Sequence, residues 1–292
     1  MQRRSQGERV FSVFNTLMLL LISMITLYPI LYVLFASVSD PARFMSYGGI
    51  LTHPLGFQLG SYRLVISNRS IGTGYLNTLF LVVVGTSFNV MFTALAAYVL
   101  SRRDYYWKRF LNLVVVITML FSGGLIPFYL VVQKVGLGDS LWALIIPGLI
   151  TTSNLMIMRT SFAAVPPDLE ESAKIDGAGD WRVLFQIVLP LSKAVIAVMV
   201  LFYGVNHWNG WFNAAIFLRN RTRYPLQLIL REILISNDTN AMTTDLGAND
   251  AELVAETIKY ATIVVATLPI MCVYPFVQRY FVTGVMLGSI KG

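Results

Sequence analysis

Residues 10–39 read VFSVFNTLMLLLISMITLYPILYVLFASVS, thirty positions without a charged side chain. A helix rises about 1.5 Å per residue, so about 20 apolar residues cross a hydrocarbon core of about 30 Å. This run is longer than that. It also exceeds the apolar core of a secretory signal, about 7–15 residues, so Arg3, Arg4 and Arg9 are read as the flank of a retained helix. Further charge-free runs cover 70–101, 110–133, 140–158, 194–218 and 260–278. They lack the polar alternation of barrel strands and are too long for them. The reading is an all-α integral membrane chain with six transmembrane helices, at about 10–39, 72–101, 110–133, 140–160, 191–217 and 260–280. They form a single transmembrane domain over residues 1–292.

Composition agrees. Hydrophobic residues make up 56% of the 292 and charged residues 13%, against about 45–50% and about 25% in soluble domains. With a mean hydropathy of +0.66, there is too little polar surface to cover a water-soluble globule. The lone Cys272 excludes a disulfide framework and a multi-cysteine zinc site. His53 and His207 lie far apart, so no metal site and no catalytic residue is expected.

Bases stay on the cytoplasmic side of short loops. Arg102, Arg103, Lys108 and Arg109 separate the second and third helices, whereas only Lys134 separates the third and fourth. Both termini of this multi-pass chain are therefore placed on the cytoplasmic side. Tyr105, Tyr106 and Trp107 flank the second internal loop, where amphipathic rings favour the headgroup layer.

Two external loops, 40–71 and 218–259, are long enough to hold structure. The apolar run 225–235 is too short to span and is expected to form a helix at the outer surface or against the bundle. The stretch 237–256, with Asp238, Asp245, Asp250, Glu252 and Glu256, is expected to be an exposed loop with a short helix. Arg219, Arg221 and Arg223 suit either an anionic substrate, an acidic face of a partner, or lipid headgroups. Near the outer end of the fifth helix, Asn206, Trp208, Asn209 and Asn213 offer amides for hydroxyls and an indole face for a pyranose ring. They equally suit interfacial anchors and helix–helix hydrogen bonds. Gly123 and Gly124 with Pro127 should weaken or kink the third helix.

The internal loop 166–190 reads PPDLEESAKIDGAGDWRVLFQIVLP. Pro166 and Pro167 can start a helix. Asp168, Glu170 and Glu171 then fall in its first turn, favourably placed for the helix dipole. Gly177 and Gly179 stop it, and Asp180 is placed to cap a second helix beginning at Trp181. Pro190 marks entry into the fifth span.

These residues resemble the permease subunits of binding-protein-dependent ABC importers. Their hallmark is Glu-Ala-Ala, three residues, Gly, nine residues, then Ile-x-Leu-Pro. Glu171, Ser172, Ala173, Gly177, Ile187, Leu189 and Pro190 stand at those spacings, with Ser172 the one departure. Asp176 belongs to an Ile-Asp-Gly-Ala form typical of carbohydrate importers of the maltose-permease type. Segments 122–127, 208–212, 224–232 and 284–292 resemble the complex-oligosaccharide branch, which includes alginate permeases.

The resemblance implies a type I importer permease fold. Its loop 166–190, with Glu171, Ser172, Ala173, Asp176, Gly177, Ile187, Leu189 and Pro190, would be the coupling helix docked on a cytoplasmic ATPase. It implies a homologous permease partner in a heterodimer, two ATPase subunits that bind ATP and Mg, and an external solute-binding protein delivering an oligosaccharide. The C-terminal tail would also reach the ATPase interface. No cofactor is expected in this chain, because none of its six lysines follows a glycine as a Walker loop requires. No nucleic-acid partner is expected either. The alternative is an ion-coupled secondary sugar carrier, which usually keeps ionisable groups inside the membrane; the six charge-free runs hold none.

Overall fold

The computed structural model describes residues 6–102, 107–235, 242 and 248–289. Tyr105, Tyr106, Arg103 and the C-terminal Lys291 and Gly292 lie outside the described residues, as do Asp238 and Asp245. Among the described residues there is no strand, only an isolated antiparallel bridge between Ser39 and Phe57. The helices are α1 (Gln6–Ser37), α2 (Pro41–Ser46), α3 (Gly60–Ser67), α4 (Arg69–Ser101), α5 (Lys108–Leu120), α6 (Leu125–Lys134), α7 (Thr152–Ala163), α8 (Pro167–Ile175), α9 (Asp180–Leu191), α10 (Lys193–Asn209), α11 (Phe212–Phe217), α12 (Leu226–Ile235) and α13 (Ala248–Ser289).

The chain divides into two compact units, residues 1–69 with 232–268 and residues 70–231 with 269–292. In the first, α1 is apolar on every side, and its residues from Val10 to Ile30 are almost all exposed, burial beginning only at its end with Ala36 and Ser37. A helix with that character belongs in lipid or against another apolar partner. Its end is tied down by polar contacts: the Ser37 and Tyr62 hydroxyls lie 2.8 Å apart, and Ser39 Oγ accepts the Leu55 N–H at 3.0 Å. The Tyr32, Phe44 and Tyr260 rings meet edge to face.

The core of the second unit is built by α4, α7, α9 and α10. Ala97, Met158, Phe162, Val183, Val188 and Met199 are fully enclosed there. The apolar run Leu226–Ile235 forms α12, and Leu226, Leu228, Ile229 and Ile233 are buried. It therefore packs on the protein.

Among the described residues, three elements are helical and apolar enough to span on their own: 10–37, 69–101 and 254–273. The other three expected spans are broken. The expected helix 110–133 is α5 and α6, which meet at 117°. The break falls at the glycine pair: Gly124 has φ +83 and the Ser122 hydroxyl accepts its N–H. A side chain at Gly123 would meet nothing within 4 Å, so none of the described residues crosses closely there. The expected helix 140–160 begins as two short 3₁₀ turns, Leu141–Leu144 and Ile146–Gly148, and bends 48° before α7. Pro147 cannot donate an N–H and its ring disfavours a continuing helix upstream. The expected helix 191–217 is instead α10 and α11, separated at Gly210, and α10 turns 83° from α9 at Ser192. Pro190 stands two residues before that bend.

A break inside an apolar layer frees backbone groups that must be satisfied by the protein. At the 145–151 break, side chains of α4 and α10 do this. Asn89 Nδ2 donates to the carbonyls of Gly148 and Leu149 at 2.7 and 3.0 Å. Its Oδ1 lies 2.7 Å from His207 Nε2. The Tyr203 hydroxyl accepts the Thr151 N–H at 3.1 Å and lies 2.7 Å from Thr93 Oγ1. The His207 ring fits against α4 only because position 85 is glycine: a Cβ there would lie 2.6 Å from Nε2.

Asn89→Ala leaves two carbonyls and His207 without their shared partner. We expect a loss of about 1–3 kcal/mol of stability, the cost of unsatisfied buried groups. Unfolding of the purified protein in a detergent titration measures it; a change below a few tenths of a kcal/mol would show that water or lipid replaces the amide freely.

Candidate functional site

The loop 166–190 folds as two short helices, and its geometry explains the spacing of its residues. Asp168 and Glu170 stand in the first turn of α8, with Glu171 just beyond it. The helix ends in a left-handed elbow. Gly177 has φ +80, its N–H donates to the Lys174 carbonyl at 3.0 Å, and the Ala178 N–H donates to the Ala173 carbonyl at 2.8 Å. These are the two bonds of a Schellman cap, in which the third helical residue from the end pairs with the residue after the left-handed one. The Ala-x-x-x-Gly spacing from Ala173 to Gly177 is that cap written in sequence. Ala173 and Ala178 both pack against the buried core, which larger side chains would push away.

The second helix starts at Asp180, one residue earlier than expected. Gly179 takes the cap position and no side chain caps it. Asp180 instead lies 3.8 Å from Lys174 across the elbow. In α9 the stretch Leu184–Val188 widens into a π-turn that includes Ile187, directly before Leu189 and Pro190. The Leu189 N–H closes that turn on the Leu184 carbonyl, immediately before Pro190, which has no N–H to donate. Ile187 and Leu189 are half-buried and Pro190 is exposed.

The outward face of this elbow is exposed. Glu171, Ser172, Asp176 and Gly177 are exposed, Ile175 is 86% exposed and Trp181 67%. A residue that sequence reading missed holds the elbow in place. Arg102, at the end of α4, pairs with Glu170 and lies over the Tyr98 ring at 4.5 Å. Arg159 of α7 donates to the Leu100 carbonyl at 3.1 Å beside it. Only the position of Arg102 directly after a charge-free run hinted at this role.

At the other end of α10, Asn206, Asn209 and Asn213 line a recess of about 500 Å³ together with Phe202, Trp211 and Phe212. The structure brings those three amides together. Trp208 is not with them: it is buried, edge-on to Tyr75 at 6.3 Å between ring centroids. Trp211, which was not singled out as a candidate, supplies the indole of the recess.

The segment that follows is clamped by Asp139. This residue has φ +50, and its carboxylate accepts the N–H groups of Arg219 and Asn220, each at 3.0 Å. Arg223 pairs with the same carboxylate at 2.9 Å. The three-arginine cluster is thus partly engaged within the chain.

A model of the family described as binding-protein-dependent transport system inner membrane component matches residues 89–286. The chain belongs to that family. The permease is 42% identical over 286 residues to a polygalacturonan/rhamnogalacturonan transport system permease protein, YtcP, of Bacillus subtilis (strain 168), which covers 98% of this chain and 99% of that one. It is also 42% identical over 292 residues to protein LplC of the same organism, covering 99% and 97%. Among solved structures it is similar to a chain of a bacterial ABC transporter involved in the import of the acidic polysaccharide alginate, with a TM-score of 0.88 and 29% identity over 96% of the permease and 100% of that chain.

The backbone N–H groups of Arg219 and Asn220, aided by the charges of Arg223 and Arg219, hold the Asp139 carboxyl below the usual carboxylate range. A carboxyl lowered by folding contributes stability that is complete above its unfolded value, about 4, and is lost as pH falls through the folded value. Thermal midpoints measured from pH 7 down to about 3 should therefore drop more steeply below pH 4 in the wild type than in Asp139→Asn. Parallel curves would mean the clamp contributes nothing.

Proposed function

We propose that this permease is the membrane subunit of an ATP-driven ABC importer that translocates an oligosaccharide by alternating access. In this reading each bent pair counts as one span, giving six, with both termini in the cytoplasm of a bacterial inner-membrane assembly. The chain itself is non-catalytic. A homologous permease completes the pathway, two cytoplasmic subunits bind ATP and Mg and hydrolyse the nucleotide, and an external binding protein delivers the sugar.

The observation that carries the proposal is the two-helix elbow of α8 and α9. A connector between two spans has no need of a Schellman cap, a salt bridge back to α4 and an exposed apolar face. A docking element has need of all three. The cap fixes its shape, Arg102 and Glu170 transmit its movement to α4, and Glu171, Ile175 and Trp181 remain outside for a partner. A basic residue on the ATPase would pair with Glu171, and Gly177 would keep the elbow. The sugar assignment draws on the relatives' named substrates and on the amide and indole recess of Asn206, Asn209, Asn213 and Trp211. Polygalacturonan fragments and alginate are both uronates, so the proposed substrate is an acidic oligosaccharide.

The test is ATPase activity of the reconstituted importer, with and without binding protein loaded with a uronate oligosaccharide. Loaded binding protein should stimulate the wild type several-fold. Glu171→Lys should abolish that stimulation by reversing the docking charge, and Gly177→Pro should do so by removing the cap's N–H and its left-handed backbone. Stimulation that survives both substitutions would leave the loop a mere connector, whereas a wild type that loaded binding protein never stimulates would favour a gradient-driven carrier.

A further inference from the structure

The recess beside the end of α10 is lined by amides and aromatic rings, and no Asp or Glu is among its lining residues. A cation stands on one of those rings. Arg231 of α12, outside the lining itself, lays its guanidinium over Trp211 at the edge of the recess, 3.7 Å from the ring centroid. At that distance the guanidinium plane is in contact with the indole face, an attraction of about 0.5–2 kcal/mol depending on solvent exposure.

Two other arginines of the permease are engaged by acids. Arg102 meets Glu170, and Arg223 meets Asp139. Arg231 is different. It is exposed, and among the described residues its guanidinium has no carboxylate or carbonyl partner. A stacked guanidinium uses its face on the ring and keeps its N–H edge free in the plane. That edge fits a carboxylate by two parallel charge-assisted hydrogen bonds. Stacking also restricts the long side chain beforehand, so less freedom is lost when an anion arrives.

We propose that Arg231, held by Trp211, is the specificity-determining residue that makes this recess prefer carboxylate-bearing sugars to neutral ones. The proposal rests on the reading of the recess as part of the sugar path. Asn206, Asn209 and Asn213 would address ring hydroxyls, which every hexose offers. Arg231 would address the one group that separates a uronate from its neutral counterpart.

The experiment uses the complete importer in liposomes and two probes: an oligogalacturonate and its methyl ester, which has the same sugar chain without the charge. Uptake efficiency is measured for wild type, Arg231→Gln and Arg231→Lys. The binding protein has its own preference, but it is the same in every arm, so the ratio of variant to wild type for each probe isolates the permease. Arg231→Gln should lower oligogalacturonate uptake about tenfold, equivalent to about 1.4 kcal/mol, while ester uptake changes less than twofold. Arg231→Lys, with charge but no stackable plane, should fall between. Equal losses for both probes would reduce Arg231 to a prop for Trp211 and overturn the proposal, as would no loss for either. A wild type that imports the ester alone would overturn it too. A wild type that imports neither probe would overturn the sugar-path reading and this inference with it.

Discussion

Every backbone group released by a helix break within an apolar layer needs a partner from the protein itself. The permease breaks three of its apolar runs, so this constraint decides much of its interior. The turn at 145–151 is the clearest case. Two carbonyls and one N–H would be stranded there, and Asn89 and Tyr203 receive them. Both side chains are in turn fixed, Asn89 by His207 and Tyr203 by Thr93. A break repaired in this way is not a loose joint. It locks α4, α10 and the start of α7 into one body, with Gly85 shaped to admit the imidazole.

The elbow between α8 and α9 depends on that body. Arg102 leaves the end of α4 only a few turns beyond Asn89, and its grip on Glu170 transfers the position of α4 to the elbow. The motif residues divide by role. Ala173, Gly177 and Ala178 are required by the cap, because the backbone must turn left-handed and its neighbours must be small enough to lie on the core. Glu171 and Asp176 are exposed at the elbow, and no side-chain partner for either is seen among the described residues. Internal geometry accounts for the small residues and leaves the two acids exposed.

The span-length runs were legible because a 30 Å apolar layer leaves a long, charge-free imprint on any helix that crosses it. The elbow was legible because proline, glycine and acids act locally, within one or two turns. The breaks were only half legible. Gly123 and Gly124 signalled the one between α5 and α6, but Pro147 with Gly148 lay inside a run whose hydropathy masked it. The partner of that break was not legible at all, since Asn89 lies 59 and 60 residues from the carbonyls it serves. Trp208 and Trp211 show the same limit. Both were amphipathic rings near a helix end, and only packing turned one toward Tyr75 and the other toward the recess.

Charge tells a related story, because one residue type serves three ends. Arg223 closes a clamp with Asp139, and its charge is cancelled where it stands. Arg102 joins two helices, so its charge is spent on architecture. Among the described residues, Arg231 is met by the face of an indole, whose quadrupole attracts a cation without neutralising it. A full positive charge thus survives beside a recess of neutral amides. Maintaining such a charge is wasteful for a surface whose only duty is to meet lipid or water, where a glutamine would stack as well. It is economical for a surface that must distinguish an acid from its ester, because the unpaired charge is then the instrument of the distinction.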